Sequence, residues 1–99
     1  MIKLNIVDVR GRILKLPTDG MKVYGIPRGG SVVAALGWPP ELIVSTPEEA
    51  DCIVDDIIDS GRTRDFYMSK YNKPFFALVD KQKEGIKDWV EFPWELNGT

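Results

Sequence analysis

The chain has 99 residues, a formal net charge of −2, no histidine and one cysteine. Its length predicts a single domain, and the absence of any concentrated Lys/Arg block argues against a nucleic-acid partner. No apolar run has the length of a membrane span and no charged-then-apolar leader is present, so we expect a cytoplasmic protein without membrane association. The lone Cys52 cannot form an internal disulfide and is expected to be a small core residue.

The first predicted elements are two β-strands, over 2–9 and 12–16, joined as a hairpin by Arg10-Gly11. The segment 17–20 then breaks the chain. The predicted elements that follow are a strand over 22–26, a helix over 31–36 ended by Gly37, strands over 41–45 and 51–54, a helix over 63–71 and a strand over 74–79.

This alternation of strands and helices predicts an α/β fold with a mostly parallel sheet. If the four later strands lie in the order 2-1-3-4, the strands over 22–26 and 51–54 are neighbours. Their carboxyl ends then flank the crevice in which ligands bind in this architecture. Two unusual polar segments of the chain follow these two strands.

The more informative of them is 51–63, DCIVDDIIDSGRT, in which an apolar strand leads into two carboxylates and a hydroxylated glycine turn. The hydroxyls and backbone N–H groups of 60–63 lie where a helix is expected to begin, which favours an anion site. The carboxylates of Asp55 and Asp56 can accept hydrogen bonds from sugar hydroxyls or help to hold Mg²⁺. The plainer alternative is an N-capped helix, although one cap has no use for the preceding acidic pair.

A second anion loop is predicted in 23–34, VYGIPRGGSVVA, where a strand passes through a tight turn into a helix. Gly29 and Gly30 have no side chains, so backbone N–H groups there can approach an anion closely. Arg28 supplies a planar guanidinium that suits phosphate oxygens. Taken alone, the loop is equally compatible with turn glycines beside a solvated surface arginine.

Together the two segments resemble the type I phosphoribosyltransferases. Every position of the family's 5-phosphoribosyl-1-pyrophosphate (PRPP) motif is met in 51–63, and 23–34 is similar to the family's pyrophosphate loop. The resemblance implies that the PRPP-binding residues are Arg28, Gly29 and Gly30 for pyrophosphate, Asp55 and Asp56 for the ribose hydroxyls and Mg²⁺, and Ser60, Gly61, Arg62 and Thr63 for the 5-phosphate. Asp59, directly before this 5-phosphate loop, is also among the implied PRPP-binding residues. Asp59 is in addition the candidate general base, since it lies between this loop and the expected base plane.

The segments 76–81, FALVDK, and 88–95, DWVEFPWE, resemble the base-binding hood of bacterial xanthine–guanine phosphoribosyltransferases. This resemblance implies that Lys81 donates to the 6-oxo group of a purine and that Trp89 stacks on its ring. It also implies that Val90 offers a backbone carbonyl to the 2-position. The alternative is that the aromatic residues of the tail only cap the core.

The resemblance as a whole implies a minimal type I phosphoribosyltransferase fold. Its twisted, mostly parallel sheet spans 22–80, the base-binding hood spans 81–99, and the N-terminal hairpin replaces the family's helix. A long mobile lid is missing, because only the residues 46–50 (below, the short link) join two strands there. Self-association, most simply as a homodimer, is expected from the small size.

Two functions remain open at this point. One is a purine phosphoribosyltransferase that converts PRPP and a 6-oxopurine into a nucleoside monophosphate and pyrophosphate, with Mg²⁺ as cofactor. The other is a non-catalytic PRPP- or nucleotide-binding regulatory domain that has lost its lid. A phosphoacceptor receiver domain is disfavoured, because receivers carry their acidic pair after the first strand.

Overall fold

The computed structural model describes residues 1–95, so the segment 96–99 of the predicted hood lies outside the described residues. The elements are β1 (Ile2–Lys3), α1 (Ile6–Leu14), β2 (Val23–Gly25), α2 (Gly29–Gly37), β3 (Cys52–Ile58), α3 (Arg62–Tyr71), β4 (Phe75–Asp80), α4 (Lys81–Glu84) and β5 (Val90–Glu91). The predicted α/β class with parallel sheets and flanking helices is therefore confirmed. No helix in residues 1–95 is both long and apolar enough to cross a membrane.

The central sheet has the parallel order β2-β3-β4. The predicted strand over 41–45 is wrong, because Pro40–Leu42 forms a 3-10 helix and only Ile43 makes a parallel bridge, to Val23 of β2. Pro39 and Pro40 carry no N–H to donate to a ladder, which favours the helical turn at this point. The predicted strand order survives with its outer strand reduced to a single bridge.

The predicted N-terminal hairpin is also wrong, since α1 occupies most of its length. The helix begins with a reciprocal capping box: the Asn5 side chain accepts a hydrogen bond from the Asp8 N–H at 2.8 Å, and the Asp8 carboxylate accepts one from the Asn5 N–H at 2.9 Å. Val9 and Ile13 are buried four residues apart, the spacing of a helical face. The N-terminal segment therefore contains a helix and not the hairpin that the sequence predicted.

The core lies between the sheet and the pair α1 and α2. Val9 of α1, Val33 of α2 and Val54 of β3 are completely buried and belong to one hydrophobic cluster. Cys52 belongs to the same cluster, as predicted, and burial raises the pKa of its thiol to about 11. This side of the sheet is the well-packed one.

The opposite side of the sheet is covered by α3 through aromatic side chains. Tyr24, Ile53 and Phe75 are in register and alternate with the core-facing residues, so they share this face. The Tyr67 ring of α3 lies 6.4 Å from the Tyr24 ring and 6.5 Å from the Phe75 ring. Because α3 itself has no buried residue, this layer is thin and partly exposed.

The tail returns to the beginning of the fold as a second small sheet. Residues Ile2 and Lys3 of β1 pair in parallel with β5, with Ile2 opposite Val90. Phe92 is buried in the core cluster, and Trp94 stacks on it with ring centroids 4.9 Å apart. The core-capping alternative therefore describes these two aromatic residues.

Candidate functional site

The two carboxylates lie inside β3 and not in a turn after it. The strand was predicted to end at Val54 but continues to Ile58, because Asp55 pairs with Ala77 and Ile57 with Val79 of β4. Adjacent strand residues face opposite sides of a sheet. The neighbouring Asp55 and Asp56 accordingly line two different cavities.

Asp55 lines a cavity of about 200 Å³ with the predicted 5-phosphate loop. We call this the phosphate cavity; its lining residues are Asp55, Ile57, Ile58, Asp59, Ser60, Gly61, Arg62, Thr63 and Arg64. Gly61 is buried with φ of +89°, a left-handed conformation that suits glycine, and α3 begins at the next residue. The Arg62 N–H donates to Ser60 Oγ at 3.3 Å. All four residues predicted to hold a 5-phosphate therefore surround one space at a helix N-terminus.

Two further residues of this region were missed by the sequence analysis. Arg64 lines the phosphate cavity, with its guanidinium against Gly61. Gln82 Nε2 donates to the Ser60 carbonyl at 2.8 Å from the single turn α4. The available signal was Asp80, an N-cap residue type at the end of an apolar strand, which indicates that a helical turn follows.

The residues predicted to bind a base also surround one space. A cavity of about 140 Å³, which we call the base cavity, is lined by Asp56, Ile57, Asp59, Lys81, Trp89, Val90, Phe92 and Glu95. Lys81 Nζ lies 3.5 Å from Asp59 Oδ1, and the Lys81 side chain is 15% exposed against 77% for Asp59. Trp89 is 65% exposed, so its ring is available for stacking.

The carbonyl of Val90 is directed away from the small sheet. The carbonyls of its neighbours Trp89 and Glu91 accept hydrogen bonds from the Ile2 N–H of β1 at 2.8 Å and from the N–H of Leu4, the residue after β1, at 2.9 Å. Successive carbonyls of a strand point to opposite edges. The intervening Val90 carbonyl therefore points to the edge that β1 does not occupy.

The predicted pyrophosphate loop lies against the end of β3. A Cβ on Gly29 would overlap the Asp56 carboxylate, so a glycine is needed for this close approach. Arg28 precedes α2 and is exposed, and the peptide bond between Pro27 and Arg28 is cis. Arg28 lines neither the phosphate cavity nor the base cavity. The glycine side of this loop is in contact with the rest of the predicted site.

Burial raises the pKa of Asp55 to about 7, and the neighbouring Asp56 carboxyl adds to the effect through a hydrogen bond and its charge. The Asp56 N–H donates to Asp55 Oδ1 at 2.9 Å, which acts in the opposite direction. Among residues 1–95, no group of three or more His, Cys, Asp or Glu side chains is arranged to hold a metal. Mg²⁺ commonly takes one or two carboxylates and completes its shell with water and ligand phosphates, so the Asp55 carboxylate in the phosphate cavity and the Asp56 carboxylate in the base cavity can each supply an oxygen ligand.

The short link lies at the amino ends of the strands, opposite to the end that carries both cavities. The Val44 N–H donates to the Val23 carbonyl at 2.9 Å, and the Asp51 N–H donates to the Lys22 carbonyl at 2.8 Å. Both ends of the short link are thus held at the amino end of β2. Lys73 Nζ fastens it further by donating at 2.6–2.8 Å to the carbonyls of Pro47, Glu48 and Ala50. The short link cannot reach the site from there.

No protein-family model and no curated protein matches this chain. The resemblance to phosphoribosyltransferases consequently remains a prediction from the two motifs and the tail.

Proposed function

We propose that this chain is a minimal purine phosphoribosyltransferase, which transfers the phosphoribosyl group of PRPP to a 6-oxopurine. The observation that supports the proposal best is that the two cavities share part of their lining. The phosphate cavity and the base cavity share Ile57 and Asp59 as lining residues. A ligand with a phosphate at one end and a flat ring at the other fits such a pair of spaces.

In the proposed reaction, a purine imidazole nitrogen forms a bond to C1 of the ribose while the C1–O bond to pyrophosphate breaks. Pyrophosphate leaves with the electron pair, and the proton of the attacking nitrogen passes to Asp59, the carboxylate common to both cavities. Residues 60–63 hold the 5-phosphate, and Arg28, Gly29 and Gly30 hold the pyrophosphate.

In the base cavity, Lys81 donates to the 6-oxo group, Trp89 stacks on the ring and the Val90 carbonyl accepts from the 2-position. The ion pair of Lys81 with Asp59 has a consequence here. A 6-oxopurine draws the ammonium group toward its own oxygen, which leaves the Asp59 carboxylate free to take the proton.

Asp55 and Asp56 are the residues that would hold the ribose hydroxyls and Mg²⁺. When bound, Mg²⁺ supplies charge neutralisation for the pyrophosphate leaving group. Because burial raises the pKa of Asp55, a cation nearby would favour the ionised form of this carboxyl, which is the form that binds a metal.

The test is an assay of pyrophosphate release from PRPP and Mg²⁺ with guanine, xanthine, hypoxanthine or adenine. We expect turnover with the three 6-oxopurines and none with adenine, whose 6-amino group offers Lys81 no acceptor. Equal use of adenine would reject the role of Lys81, and no release with any base would reject transferase activity.

Trp89→Ala and Trp94→Ala form a matched pair for the base cavity. Trp89 is exposed, so its loss is expected to weaken nucleotide binding by about 1–3 kcal/mol, the size of a stacking contact, with little change in stability. Trp94 packs on Phe92, so its loss is expected to lower stability instead. If Trp94→Ala weakens nucleotide binding and Trp89→Ala lowers stability instead, the stacking residue is Trp94 and not Trp89.

The second candidate is a regulatory domain that binds PRPP or a nucleotide without turnover. The position of the short link favours it, since nothing in residues 41–51 extends over the cavities. Binding of PRPP or GMP that raises the melting temperature, together with neither product nor hydrolysis, would support this function over the enzyme.

A further inference from the structure

Two neighbouring side chains of α4 reach two neighbouring residues of the segment 59–63, which we call the phosphate loop. Lys81 Nζ lies 3.5 Å from Asp59 Oδ1, and Gln82 Nε2 donates to the Ser60 carbonyl at 2.8 Å. Lys81 also lines the base cavity, while Ser60 lines the phosphate cavity. The single turn α4 therefore contacts both parts of the site.

This turn is held firmly by its own hydrogen bonds. Asp80 Oδ1 accepts from the N–H groups of Gln82 and Lys83, both at 3.1 Å. Glu84 Oε2 accepts from the Asp80 N–H at 2.9 Å, and Glu84 Oε1 accepts from Arg12 of α1 at 2.9 Å. The Gln82 side chain thus extends from a backbone that is held in place, so its hydrogen bond can fix the position of the Ser60 carbonyl.

The Ser60 carbonyl is a sensitive place to hold this loop. The peptide group between Ser60 and Gly61 is planar, so the direction of the Ser60 C=O also fixes the direction of the Gly61 N–H. Gly61 has a left-handed φ of +89°, and glycine can leave that conformation without a side-chain penalty. The bond from Gln82 therefore restrains the rotation of this peptide.

We propose that Gln82 is a positioning residue for the phosphate loop, which orients the N–H groups that receive a 5-phosphate. It acts through Ser60 and not through the ligand. The inference rests on the proposed function, because it takes the phosphate cavity to be a phosphate site. It adds that recognition of the 5-phosphate depends on a residue outside both motifs.

The test compares the dissociation constants of GMP and guanosine, which differ only in the 5-phosphate, in the presence of Mg²⁺. Gln82→Met removes the donor and keeps the length of the side chain. We expect it to weaken GMP by about tenfold, near the net value of one hydrogen bond, and to leave guanosine within about twofold. Lys83→Met is the matched control on the same turn and is expected to change neither constant.

A merely structural role of Gln82 would weaken both ligands together, so the ratio of the two constants is decisive. Gln82→Asn, whose amide is one methylene too short to reach Ser60, should reproduce the loss for GMP alone. An unchanged ratio in both variants would overturn this inference while leaving the proposed function intact. If the unaltered chain does not distinguish GMP from guanosine, the phosphate site is absent and both proposals are overturned.

Discussion

At the scale of single residues, Asp55 and Asp56 show how adjacent identical side chains acquire different surroundings. Asp55 lies beside the phosphate cavity with a strongly raised pKa, whereas Asp56 lies against Gly29 and the base cavity. The sequence predicted the pair but not this division, because it follows from the continuation of β3 along β4. Pairing with a distant strand is not visible in a local pattern.

The raised pKa of Asp55 predicts a stability that falls as the pH rises. Between the ordinary value of 3.8 and about 7, the folded chain retains a proton that the unfolded chain has lost. The contribution of this group to the free energy of unfolding is therefore greatest below about pH 4 and is lost as the pH approaches 7. Asp55→Asn, which has no proton to lose, is expected to flatten this part of the pH dependence.

Urea unfolding between pH 4.5 and 7.5, with chelator to remove Mg²⁺, measures this effect. Asp19→Asn, at an exposed carboxylate, is the control and should follow the unaltered chain. If the curve of the Asp55→Asn variant runs parallel to that of the unaltered chain, the Asp55 carboxyl is not titrating in this range.

Gly61 provides a second residue-scale prediction. An alanine there must adopt φ of +89° and brings its Cβ to 2.5 Å from the Arg64 guanidinium, so Gly61→Ala is expected to lose about 1–2 kcal/mol of stability. Gly11→Ala is the opposite case: Gly11 lies in α1 with open space around it, and the change should stabilise by about 0.5–1 kcal/mol. Equal effects of the two substitutions, measured by urea unfolding, would contradict the left-handed turn.

At the scale of elements, local signals in the sequence predicted where most strands and helices lie. They did not distinguish a strand from a helix where a segment fits both the strand and the helix period. In 2–16, β-branched residues suggested strands, while Val9 and Ile13 at helical spacing and the Asn5 capping box decided for α1. The single turn α4, which carries Lys81 and Gln82, was missed because four residues are too few for a period. The start of α3 at Arg62 lies within one residue of the predicted helix start, because glycine and hydroxyl positions in the turn before it are local requirements.

The capping box of α1 can be tested directly. Asn5→Ala removes the side-chain acceptor and is expected to cost about 1 kcal/mol of stability, with some loss of helical circular dichroism. Arg10→Ala, at an exposed position within α1, is the control and should be nearly neutral. If Asn5→Ala changes stability as little as Arg10→Ala, the capping box does not stabilise α1, and the result favours the predicted hairpin.

At the scale of the whole molecule, both cavities lie at the carboxyl ends of the parallel strands, and the short link lies at the other end. A ligand bound in this position is open to water. The predicted dimer is one way to cover it, and Phe66 and Met68 of α3 are exposed hydrophobic residues available for such contacts. The homodimer remains a prediction.

If the chain is an enzyme, the open site predicts imperfect coupling. Some of the PRPP consumed should appear as ribose 5-phosphate, with fewer nucleotide molecules formed than pyrophosphate molecules released. Nucleotide and pyrophosphate can be measured in the same reaction, and sedimentation of the same sample gives its oligomeric state. A monomer with complete coupling would show that this site excludes water without a lid.

The pairing of β1 with β5 also has a consequence for the order in which the molecule is assembled. During synthesis, residues 2–3 leave the ribosome long before their partners at 90–91, whereas β2, β3 and β4 follow one another closely. Contacts between distant parts of a chain close late because of their entropy cost. The base cavity should thus be completed after the phosphate cavity. When the unfolded chain refolds, pulsed hydrogen exchange should show the Ile2 and Leu4 amides gaining protection last.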